Sequence, residues 1–107
     1  MLSRSIVPAP KSALTLLQAL ELTNVYLENA YRTTDSNIAL VLCHDAEGAL
    51  SQAKNANKKH PIHPKDPEHQ MLHDGMAAAY IDLGKLLERQ GYQAESQVIR
   101  KKAEKWG

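Results

Sequence analysis

Four of the chain's five histidines, His60, His63, His69 and His73, fall within fourteen residues, and imidazole is the commonest side-chain ligand for metals. His69 and His73 stand one helical turn apart and can share a face. That spacing presents two nitrogens to Zn²⁺, with His60 or His63 swinging in from a loop to complete a set of three. No Asp or Glu joins them in the pattern of a metallohydrolase helix. Lys58, Lys59 and Lys65 lie in the same stretch, so protonation below about pH 6 would turn it strongly positive. A solvated loop and helix start accounts for the cluster equally well.

Cys43, His44 and Asp45 are consecutive, which invites a nucleophile assignment. Adjacent helical positions point about 100° apart, so the thiol and its would-be base do not face each other. Cys43 reads as a small core residue and His44 as a surface one. No serine-nucleophile motif, phosphate-cradling glycine loop or paired-carboxylate arrangement occurs. The chain is therefore expected not to be an enzyme and to need no cofactor. Near the C-terminus, Arg100, Lys101, Lys102 and Lys105 form a basic segment interrupted by Glu104. It could dock an acidic peptide or a membrane surface, but cations are favoured at a helix C-terminus by the dipole alone. Trp106 either closes the core or anchors a contact with another chain.

Stepping outward from these residues, 107 residues make one small domain with a modest core. Among the apolar residues, 14 Leu and 14 Ala outnumber four Val and five Ile, which favours helix over strand. Thirteen Lys and Arg against twelve Asp and Glu leave no excess for neutralising phosphates, so nucleic acid is not an expected partner. A lone Cys43 excludes an internal disulfide, in keeping with a reducing, cytoplasmic setting. No apolar run approaches the ~18 residues of a membrane span. Ser3 and Arg4, with no acid before Glu21, give only a faint echo of a transit peptide.

The pattern predicts an all-α domain of four antiparallel helices built as two helical hairpins. Pro8 and Pro10 mark residues 1–11 as a flexible arm, and Ser12 is the expected cap of the first helix within a single helical domain spanning 12–107. Leu16, Leu17, Leu20, Leu27 and Tyr31 form its stripe, with Leu22, Val25 and Tyr26 widening it. Asp35 or Ser36 caps a second helix over 37–57, with Ile38, Leu42, Ala46, Ala49, Ala53 and Ala56 on its inner side. Three prolines in Lys58–Pro67 forbid helix there, so the first hairpin is 12–57 and the loop 58–66. Asp66 and Pro67 open a third helix with Leu72, Met76, Ala79, Leu83 and Leu87 inward, flanked by Tyr80 and Leu86. Gly91 ends it, and a fourth helix over 93–105 carries Ala94, Val98, Ile99, Ala103 and Trp106, completing a hairpin over 67–106.

In that second hairpin Tyr80, Leu83 with Gly84, Leu87, Gly91 and Ala103 follow the intervals of one tetratricopeptide repeat, over about 30 residues. The segment resembles that family. The resemblance implies that two helices cross tightly at Gly84. Ser96 stands where the repeat has Ala, Arg100 where it is aromatic, and the closing Pro is absent. The block from Asn37 to Asn57 followed by the helix with Leu83 and Gly84 also resembles, more distantly, helical modules of fungal multidomain proteins that carry repeat arrays. Such units stack on neighbours, because a single repeat cannot bury its apolar faces. The expected function is a non-catalytic protein interaction or assembly module, with a protein partner or a second copy of the chain, a homodimer included. No membrane, nucleic acid or small-molecule substrate is expected, and Leu22, Val25, Tyr26 and Trp106 are the candidate contacts. The alternative is a histidine-based metal-binding or pH-sensing domain centred on His60, His63, His69 and His73.

Overall fold

The computed structural model describes residues 15–106, and the expectations for the 1–11 arm and the Ser12 cap lie outside them. Within that span the chain is all-helical, with α1 at Leu16–Arg32, α2 at Ser36–Lys59, α3 at Pro67–Arg89 and α4 at Gln93–Glu104. No strand occurs among the described residues.

Each boundary has a local cause. Thr15 caps α1: its hydroxyl accepts from the Gln18 amide at 3.1 Å while the Gln18 side chain accepts from the Thr15 amide at 3.0 Å. That reciprocal capping box satisfies two amides that the first turn leaves without partners. Asp35 accepts from the amides of Asn37 and Ile38 and opens α2. α2 then continues to Lys59, two residues past the expected end, because the first proline comes only at Pro61 and Lys58 and Lys59 suit the negative helix end. The loop is therefore 60–66. Asp66 accepts from the Glu68 amide at 2.9 Å, with Pro67 at the first helical position, as the sequence predicts. α3 ends in a Schellman motif, in which the Gly91 amide donates to the Glu88 carbonyl and the Tyr92 amide to that of Leu87. The left-handed turn this requires is supplied by Gly91 at φ +93°.

α1 packs along α2 and α3 along α4, and the two hairpins meet where α3 lies against both α1 and α2. No extended seam joins α1 to α4. The result is a slab measuring 48 × 38 × 20 Å, only two helices thick. Its core combines Leu50, Leu72, Met76, Leu83, Leu86 and Leu87 with alanines and Cys43. All seven side chains predicted for the inner side of α3, Tyr80 and Leu86 among them, are buried.

The inner faces of α1 and α2 are rotated from the expected ones. α1 buries Ala19, Thr23, Leu27 and Ala30, whereas Leu17 is 51% and Tyr31 68% exposed. α2 buries Ala39 and Cys43 in place of Ile38 and Leu42, together with Ala46, Ala49, Leu50 and Ala53. Small side chains allow the two backbones to approach closely. The close seam therefore selects Ala, Thr and Cys and leaves several of the larger residues outside. Thr23 is tolerated there because its hydroxyl donates to the Ala19 carbonyl at 2.8 Å. On α4, Ile99 and Ala103 are buried as expected, but Ala94 and Val98 are exposed.

Candidate functional site

The four candidate contacts come from two elements of the structure. Leu22, Val25 and Tyr26 sit on successive turns of α1, where Val25 is exposed, Leu22 half-buried and Tyr26 packed against the core. Trp106 lies beyond the end of α4, half-buried against the core and beside residues of α2 and α3. Large apolar side chains lie on the outer surface of the first hairpin, and Leu17, Tyr31 and Ile38 among them were expected inside. Leu17, Val25, Tyr31, Ile38 and Val41 are all more than half exposed, a concentration of apolar surface that tends to mark contacts between chains.

Two of the four clustered histidines come together. The rings of His69 and His73 stack with centroids 4.3 Å apart and planes 29° from parallel. His73 in turn meets Trp106 edge-on at 5.0 Å. His60 and His63 are exposed on the loop, where the His63 Nδ1 accepts from the Lys65 amide at 3.1 Å. Among the described residues no group of three or more His, Cys, Asp or Glu is gathered where it could hold a metal ion.

Cys43 is 1% exposed and His44 is exposed beside it. Burial pushes the Cys43 thiol above its ordinary value of 9.0, and the Gln90 amide, 3.7 Å away, together with the Arg89 charge pulls only partly the other way. A buried thiol held protonated is a poor nucleophile. The Tyr80 hydroxyl is likewise raised, first by burial and then by the Glu47 carboxylate.

The α3–α4 crossing is built around Gly84. A methyl group there would lie 2.9 Å from the Arg100 Cγ, and Ser96 donates its hydroxyl hydrogen to the Gly84 carbonyl at 2.7 Å. Arg100 passes over the glycine to bond Glu88 at 3.0 Å. Ser96 and Arg100, two of the three departures from the expected tetratricopeptide intervals, both act at this crossing.

Other polar contacts tie the helices together. Arg89 stacks over the Tyr31 ring at 4.9 Å and reaches the Tyr31 carbonyl at 3.5 Å, linking the C-terminal ends of α1 and α3. Lys102 of α4 meets Glu47 of α2 at 3.5 Å. Sequence periodicity assigned Lys102 to a solvated helix end, and a contact between helices so far apart in the chain leaves no local signal. Among the described residues no helix is long and apolar enough to cross a membrane. Compared with protein-family models, with curated proteins and with solved structures, the chain matches none.

Proposed function

We propose that the chain is a protein interaction or assembly module whose first hairpin docks against another protein chain, a second copy included. The observation that carries this reading is the set of five large apolar side chains, Leu17, Val25, Tyr31, Ile38 and Val41, left exposed on α1, the α1 end and α2. Two further features support it. The helices form an open slab with no seam between α1 and α4, so outer faces remain available as they do in stacked helical arrays. The tetratricopeptide-like interval pattern of the second hairpin belongs to the same class of architecture, and fold analogy of that kind is weaker support than the exposed residues.

The test is the mass in solution at high protein concentration, with and without a chelator, for the natural chain and for Leu22→Glu with Val25→Glu. The expected outcome is a mass above the monomer that the chelator leaves unchanged. In the double variant the mass falls to the monomer while helix content stays nearly intact, because charges are costly at a dry interface and tolerated in water. A strictly monomeric natural chain, together with a double variant that unfolds, would assign these side chains to the monomer's own core. A mass that drops only when the chelator is added would favour the histidine-based metal reading.

A further inference from the structure

Residues of α2, of α3 and of the chain end beyond α4 enclose a cleft of about 370 Å³, within the size range of small-ligand sites. Lys54 comes to it from α2, and Lys102 and Lys105 come from the end of α4. His73 and Trp106 also line it, with the buried Tyr80 at its base. Glu47 pairs with Lys102 at 3.5 Å, with the two side chains 41% and 43% exposed, so that ion pair is screened by water and readily exchanged.

Helix-end electrostatics favour cations at positions 102 and 105. They do not account for Lys54, which stands more than a turn before the end of α2, nor for the presence of Trp106 and His73 in the same cleft. The cations lining the cleft are ammonium groups, each a compact point charge with three movable donors. Three ammonium groups attract a doubly charged phosphate more strongly than a singly charged carboxylate. The indole face of Trp106 suits a flat ring.

We propose that this cleft binds a small phosphate monoester carrying a flat ring, of mononucleotide size. Lys54, Lys102 and Lys105 hold the phosphate and Trp106 lies against the ring. The ligand is held and not converted, and the inference stands independently of the docking role of the first hairpin.

Trp106 is the chain's single tryptophan, so its fluorescence reports on the cleft directly. The probes are AMP, adenosine, inorganic phosphate and vesicles carrying a phosphoinositide headgroup, each titrated at low ionic strength. AMP is expected to give a saturable change, binding about tenfold more tightly than adenosine or inorganic phosphate, which is the separation one good additional contact provides. Lys54→Ala and Lys105→Ala, both at exposed positions, should each weaken AMP by about fivefold or more with unchanged circular dichroism. Lys85→Ala, on α3 outside the cleft, should leave AMP binding unaltered. The proposal is overturned by any of four results: no saturable response to AMP, equal affinity for AMP and adenosine, AMP binding indifferent to both cleft lysine changes, or a response to the vesicles alone.

Discussion

At the scale of single residues, the protein's most telling chemistry is protection. Cys43 and Tyr80 are both held protonated by burial, above their ordinary values of 9.0 and 10.0. The folded state therefore keeps protons that the unfolded chain releases. Stability from these groups is complete below about pH 8.5 and is lost as pH rises past their unfolded values and through their raised folded ones. Urea midpoints measured from neutral pH to about pH 10.5 should fall on the alkaline side, and Cys43→Ala combined with Tyr80→Phe should flatten that fall. A midpoint that stays level in the natural chain would contradict the burial of both groups. The sequence was informative for Cys43, because its helical neighbour cannot face it and a small thiol suits a core. It was also informative for His69 and His73, whose spacing alone places them on one face. The lysine cleft was not legible, since Lys54 and Lys102 are 48 residues apart in the chain and meet only through the packing of α4 against the rest of the molecule.

At the scale of helices, boundaries were legible and faces less so. Asp35, Asp66 with Pro67, and Gly91 each act within a turn of their own position, so local chemistry fixes them. The facing of α1 and α2 depends on the partner. Counting apolar residues points to the Leu-rich side of α1, but close contact with an alanine-rich helix rewards Ala19, Thr23 and Ala30. Two glycines separate these effects. Gly48 lies within α2 and a methyl group there would meet nothing within 4 Å, so Gly48→Ala should stabilise by about 0.5–1 kcal/mol through helix propensity alone. Gly84 is buried at the crossing, where Gly84→Leu should cost about 1–3 kcal/mol through overpacking and displacement of Arg100. Thermal unfolding of the two variants should shift in opposite directions, by about 4–8 °C per kcal/mol in a domain of this size. A stabilised Gly84→Leu variant would show that the helices do not cross tightly there.

At the scale of the molecule, shape follows from which helices touch. The radius of gyration is 15.2 Å, where a compact chain of this length would have about 13 Å. α3 contacts each of the other three helices, whereas α4 depends chiefly on α3. Leu83 sits on α3 with no exposure at all, so Leu83→Asp places an unpaired charge in the shared core at a cost of several kcal/mol. Against a total of about 5–10 kcal/mol for so small a domain, that should abolish the helical circular dichroism signal throughout, not in one hairpin. A folded Leu83→Asp variant would remove α3 from the centre. The four-helix architecture was readable because hydrophobic periodicity and caps recur along the chain, but the open slab was not, since nothing local says which hairpin faces will meet.

The same contact pattern governs the route to the folded state. Helices next to each other in sequence supply most of the packing, so the chain need close only short loops before burial begins to reward it. Each hairpin can form its own early nucleus, and the 60–66 loop merely brings the two nuclei within reach. The contacts of α3 with α1 bridge a longer stretch of chain than those within either hairpin, so they are expected to form last.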